Sequence, residues 1–235
     1  MKKRIFLFVL LAIGMGSLQI CAKKKAEKRS IVRIETTMGN IRVALFDDTP
    51  IHRDNFLELA GKGFYDGTLF HRVINEFMVQ GGDPDSRTAQ PGQLLGDGDN
   101  GYTLQPEFCL PFIYHWRGAL AAAREGDDVN PEQRSSGCQF YIVYGKKQSE
   151  SDMKKVRARL APMDIEITSQ MAEDYRLRGG TPHLDGQYTV FGEVIEGLEV
   201  VQMMQVVPTD SNDRPLKDVR ITRMVIEQKS NPRKK

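Results

Sequence analysis

Residues 70–83 read Phe-His-Arg-Val-Ile-Asn-Glu-Phe-Met-Val-Gln-Gly-Gly-Asp. Side chains of a strand alternate between its two faces, so Arg72 shares a face with Phe70 and Ile74 while His71 takes the other. A guanidinium among apolar side chains on a sheet needs a partner. Two chemistries are open to it: a structural ion pair, or a charged hydrogen-bond donor at the edge of an apolar cleft.

Other candidate chemistry falls away on context. Gly96-Asp97-Gly98-Asp99-Asn100-Gly101 matches the dinucleotide-binding string. No helix is predicted after it, however, and two aspartates would repel a pyrophosphate. The same acidic run lacks the third ligand and the terminal glutamate of a calcium loop. His52, His71, His115 and His183 show no metal-ligand spacing, so no metal and no cofactor is expected. Cys138 sits beside an apolar strand with no base near it in sequence and reads as a buried thiol. A Cys109–Cys138 disulfide stays open.

The elements that must position Arg72 are mostly short strands. Residues 31–36 and 41–46 are β-branched and alternating, and Met38-Gly39-Asn40 between them makes an antiparallel hairpin. Thr49-Pro50 opens a helix as cap and first residue, with Phe56, Leu59, Ala60 and Phe64 as its buried stripe and Gly61 and Gly63 as its stop. Further strands are predicted at 68–74, 77–81, 118–123, 139–144, 189–195 and 219–227, and a short helix at 198–204. Many short strands, few helices and frequent glycine turns argue for an antiparallel barrel over a βαβ fold. Residues 146–180, with eight cations and six anions, read as one or two surface helices broken at Pro162 and ended by Gly179-Gly180.

The chain begins Met-Lys-Lys-Arg, followed by an apolar run from Ile5 to Ile13. That run is far short of the roughly 20 residues needed to span a bilayer, so residues 1–22 read as a secretory signal. Cleavage after Ala22 is one reading. The other is a bacterial lipoprotein box at Leu18-Gln19-Ile20-Cys21, departing from the usual pattern at Ile20, with the lipid on Cys21. Both predict export, to the periplasm or to a membrane-anchored lipoprotein facing it. Residues 23–29 form a linker, 30–229 the folded domain, and 230–235 a basic tail. Setting aside Lys2, Lys3 and Arg4 leaves 30 cations against 31 anions in 235 residues. No basic field remains to hold nucleic acid, and three cysteines cannot build a disulfide scaffold.

Four collinear segments carry a resemblance. FHRVINEFMVQGGD (70–83), GALAAAR (118–124), SSGCQFYIV (135–143) and HLDGQY (183–188) followed by Val190-Phe191-Gly192 resemble the motifs of the cyclophilin-type peptidyl-prolyl cis-trans isomerases. The resemblance runs from about 31 to 227. It implies a closed eight-stranded antiparallel barrel capped by two α-helices, with a substrate groove on its outer face, carrying the 146–180 segment as an insertion. It implies isomerisation of X–Pro bonds in unfolded or partly folded polypeptides, by a monomer without metal or cofactor. Position by position, Arg72 matches the catalytic arginine; Phe77, Met78, Tyr141 and Leu184 match the proline pocket; Gln80 and Gln139 match groups that hold the substrate backbone. Ala123 and Arg124 match the stretch beside the bound peptide.

Three positions depart from the family pattern. Arg124 stands where asparagine is usual, so only its backbone carries over, and Tyr188 stands where histidine is common. His183 replaces a tryptophan that contacts cyclosporin, which predicts weak binding of that drug; Trp116, the single tryptophan, lies outside the groove motifs. The insertion reads either as a lid or client-docking arm or as a charged surface excursion. The alternative function is a periplasmic chaperone that binds proline-containing segments with little turnover.

Overall fold

The computed structural model describes residues 29–229. The signal, Cys21, most of the linker and the basic tail lie outside the described residues. Ten strands and four α-helices occur among those described: β1 Ile31–Thr36, β2 Gly39–Leu45, α1 Pro50–Gly61, β3 Phe70–Ile74, β4 Met78–Gly81, β5 Thr103–Leu104, β6 Ala119–Ala122, β7 Ser135–Ser136, β8 Phe140–Val143, α2 Glu150–Leu160, α3 Ser169–Leu177, β9 Val190–Glu196, α4 Leu198–Met204 and β10 Ile221–Gln228. Eight strands form one antiparallel sheet in the order β10-β1-β2-β9-β6-β8-β4-β3, while β5 and β7 pair separately. The sheet curls until its edge strands approach at one bridge, Leu69 to Arg220, where the Phe70 amide donates to Val219 O and the Ile221 amide to Thr68 O. The expected curled eight-stranded antiparallel architecture is present, its edges meeting at this bridge without a continuous ladder between them.

Alternation sorts the side chains, except that a register shift between Phe70 and Arg72 turns Phe70 into the main core and off the face it was expected to share with Arg72. Val32, Ile34, Ile41, Val43, Val73, Val79, Leu120, Ala122, Phe140 and Ile142 point inward and form the main core with Phe56 and Phe191. Met78, Ala119, Ala121, Tyr141 and Val143 point to the other face and form a second cluster. Phe140 meets Phe56 and Tyr65 edge-on at 5.4 Å in each case. Truncating Phe56 would forfeit about 3–5 kcal/mol.

Helix α1 starts differently from its prediction. Thr49 makes no side-chain cap. The orphan amides of Ile51 and His52 donate instead to the Glu107 carboxylate, at 3.1 and 3.0 Å, which also places an anion at the positive end of the helix. Phe64 lies beyond the helix end, packed against the core from the following turn.

The 146–180 segment is helical, but a surface excursion is not what it makes. Ser149 and Asp152 form a capping box for α2, and the Thr168 hydroxyl accepts from the Met171 amide to start α3. Pro162 stands in a 3₁₀ turn between them. Met153, Leu160, Ile167, Met171 and Tyr175 then close over Tyr114 in a third apolar cluster. The charged residues noticed in the sequence are its outer faces.

Candidate active site

Strand register assembles the site from four elements. Arg72 pairs with Gln80, Gln80 with Tyr141, and Tyr141 with Ala121, so one rung crosses β3, β4, β8 and β6. On the neighbouring rung Ile74, Met78 and Val143 follow. Met78 and Tyr141 are buried in the second apolar cluster, and Phe77, Leu184 and Tyr188 pack onto it half-buried. The four residues expected to form a proline pocket are thus brought together. Tyr188 meets Tyr141 edge-on at 6.2 Å, and His183 stacks on Phe77 at 5.5 Å. Burial, with help from the Arg159 charge, holds the His183 imidazole down to about 4, so it is neutral at pH 7.

Arg72 remains accessible. Its side chain is 43% exposed, and its Nε lies 3.5 Å from a carboxylate oxygen of Asp213, whose side chain is 42% exposed. That distance exceeds a good hydrogen bond, and an exposed pair of this kind contributes about 0–1 kcal/mol. The guanidinium is therefore free to swing toward a ligand at little cost. Both readings of Arg72 meet here: it has an ion-pair partner, and the partner is loose.

The polar residues line a cleft of about 830 Å³, which Gln80, Gln139, Ala123 and Arg124 border together with Gly98 and Tyr102. Gln139 is engaged within the protein. Its Nε2 donates to Gly96 O at 2.7 Å and Gly98 O at 2.8 Å, and its Oε1 accepts from Gln80 Nε2 at 3.0 Å. It orients Gln80 and fastens the 96–98 loop, with no donor left for a peptide. The backbone of Ala123 is likewise engaged, its amide donating to Gln139 O and its carbonyl accepting from the Ser136 amide. The Arg124 side chain lies over the Tyr188 ring at 4.4 Å and donates to Gln187 O at 2.7 Å, tying the 187–188 turn to β6.

The glycine-rich string is the loop that Gln139 holds. Asp83 accepts from the Gly96 amide at 2.6 Å, and a Cβ on Gly98 would meet Asp83 Oδ1 at 2.0 Å, so only glycine fits there. Among the described residues no group of His, Cys, Asp and Glu is arranged to hold a metal ion. Cys109 and Cys138 are both free thiols, and burial pushes Cys138 up to about 11.

Sequence reasoning missed two features. Ser135, His52 and Glu107 form a hydrogen-bonded chain, His52 Nε2 to Ser135 Oγ at 2.9 Å and His52 Nδ1 to Glu107 at 2.7 Å. This is the order of a hydrolytic triad, but Ser135 is 1% exposed and the cavity beside His52, about 10 Å³, has room for one water at most. The chain is internal bracing. The second feature is segment 113–116, which brings Ile113 and Trp116 onto the apolar cluster and His115 to the Tyr141 hydroxyl. None of these contacts leaves a local pattern in the sequence.

Comparison with known proteins accounts for the arrangement. Residues 31–226 match the family model described as cyclophilin type peptidyl-prolyl cis-trans isomerase/CLD. Peptidyl-prolyl cis-trans isomerase CYP18-1 of Arabidopsis thaliana is 33% identical over 202 residues, covering 86% of this chain and 97% of that protein. A longer Streptococcus pyogenes protein, named for both phosphatase and peptidyl-prolyl cis-trans isomerase activities, is 37% identical over 191 residues; these cover 80% of this chain but only 37% of that one. The crystal structure of a Cryptosporidium parvum cyclophilin type peptidyl-prolyl cis-trans isomerase superposes with a TM-score of 0.63 at 26% identity, covering 86% of this chain and 99% of that one. The same parasite protein has been solved in the presence of the dipeptide Ala-Pro. With a family match that spans the whole curled sheet and its outer-face rung, the chain belongs to the cyclophilin-type peptidyl-prolyl cis-trans isomerases.

Proposed function

We propose that this isomerase accelerates X–Pro rotation in exported polypeptides as they fold, with Arg72 donating to the imide nitrogen and Phe77, Met78, Tyr141 and Leu184 holding the proline ring. The bond resists rotation by about 18–20 kcal/mol because nitrogen conjugation keeps it planar. Near a right-angle twist the lone pair leaves the π-system and sits on nitrogen. A donor aimed at that nitrogen stabilises the twisted state over both planar isomers, whereas a donor to the carbonyl oxygen would reinforce planarity. An arginine supplies that donor without a proton transfer.

The observation that carries this reading is the shared rung: Arg72, Gln80 and Tyr141 stand side by side, with Met78 on the next rung. A charge-assisted hydrogen bond contributes about 1.5–3 kcal/mol, or about one to two decades in rate. The rest of the acceleration comes from the apolar wall, which favours the less polar twisted amide, and from Gln80, held by Gln139, on the flanking backbone. Export rests on the leader sequence alone, with a membrane tether through Cys21 if that residue is lipidated.

A protease-coupled assay on a proline-containing peptide tests the activity. Acceleration that varies little between pH 6 and 8 is expected, since no catalytic group titrates there. Suppression of client aggregation without acceleration would favour the chaperone reading instead.

A further inference from the structure

Tyr175 lies in α3, outside every segment that carries the family motifs, yet it ends a buried chain that leads to the proline pocket. Its hydroxyl donates to Asp185 Oδ2 at 2.6 Å. Asp185 Oδ1 accepts from the backbone amide and from Nδ1 of His115, both at 2.9 Å. Asp185 and Tyr175 are 0% exposed and His115 is 1% exposed. Three donors thus converge on this buried carboxyl group, so its oxygens are not left unpaired. The pattern assigns the proton to Nδ1, which leaves Nε2 to accept from the Tyr141 hydroxyl at 3.0 Å. The two rings are nearly parallel, with 6.2 Å between centroids and 13° between planes.

A second contact joins the insertion to the same loop. Gly186 follows Asp185 with φ +71°, and a Cβ there would lie 2.4 Å from Cδ1 of Ile165. The insertion therefore grips residues 185–186 by one hydrogen bond and one close apolar contact. A lid that opened over the cleft would have to break both.

We propose that Tyr175 is a positioning residue for the isomerisation: through Asp185 and His115 it sets the Tyr141 ring, which makes the insertion a supporting wall of the proline pocket. This rests on the pocket proposed above. Tyr141 touches the proline ring alike in planar and twisted substrate, so its misplacement weakens ground and transition states together.

The test is a double-mutant cycle read by KM and kcat on a proline-containing peptide. Tyr175→Phe, which keeps the ring packing, should raise KM about three- to ten-fold with kcat within about twofold. In a Tyr141→Phe background the same exchange should change KM by less than about 1.5-fold, because the link it acts through is gone. An unchanged KM for Tyr175→Phe, or the same rise in both backgrounds, would overturn the proposal. If Tyr175→Phe fails to fold, Asp185→Asn runs the same cycle with the same expectations. Loss of the pocket reading looks different: Tyr141→Ala and Arg72→Ala would then both retain the full kcat/KM of the unaltered chain, and the inference would fall with it.

Discussion

Replacing Arg72 separates catalysis from folding. Its side chain is 43% exposed and its carboxylate partner Asp213 sits 3.5 Å away, so the folded state loses about 0–1 kcal/mol on truncation. The transition state loses about 1.5–3 kcal/mol if the guanidinium donates to the imide nitrogen, which is about 10- to 150-fold in kcat/KM. Arg72→Ala should therefore give a well-folded protein, with thermal midpoint near that of the unaltered chain, and a rate reduced by that factor in the protease-coupled assay. Arg72→Lys should recover only part of the loss, because a point charge replaces a planar fork. Asp213→Asn should keep the rate within about threefold, since the pair it removes is loose. A kcat/KM for Arg72→Ala within about threefold of the unaltered chain would refute the assignment, and a loss matched by unfolding would refute the stated independence of the two.

Acid should weaken the fold through two imidazoles. Burial holds both His71 and His183 down to about 4, with the Arg159 charge adding to the effect on His183. The unfolded chain takes up these protons near 6.5. Stability should thus be full above about 6.5 and fall by up to ~3 kcal/mol per imidazole as pH drops toward 4. A urea midpoint unchanged between pH 7 and 4.5 would contradict this. Cyclosporin should bind more weakly than nanomolar, and His183→Trp should tighten it about tenfold or more by restoring a large aromatic contact; equal affinity in the two proteins would remove His183 from the explanation. Metabolic labelling with a fatty acid should mark the full chain and be abolished by Cys21→Ser, while an unlabelled chain would favour cleavage after Ala22.

What the sequence made legible was whatever repeats locally. The composition predicts strands at 77–81 and 139–144, the resemblance places Met78 and Tyr141 in one pocket, and the register sets both on one face with Val79 and Phe140 on the other. The glycine stop of α1 and the break at Pro162 are local too. The features that escaped join residues far apart in the chain. Glu107 capping α1, Asp185 beneath His115, and Trp116 on the apolar cluster are separated from their partners by tens of residues. Charge also misled: the polar faces of α2 and α3 dominate the composition of 146–180, and the spaced Met153, Leu160, Met171 and Tyr175 that build its core are few. At Gln139 the side-chain amide bonds to the 96–98 loop and to Gln80 across 41 to 59 residues, contacts that leave no local pattern.

The fastening of residues 96–98 has a consequence for which clients can enter. Asp83 grips the Gly96 amide, Gln139 grips the Gly96 and Gly98 carbonyls, and Gly98 sits too close to Asp83 for any side chain. A boundary anchored at three points does not mould itself to a guest. On the function proposed above, a polypeptide laid along this boundary has to supply the fit by its own conformational sampling.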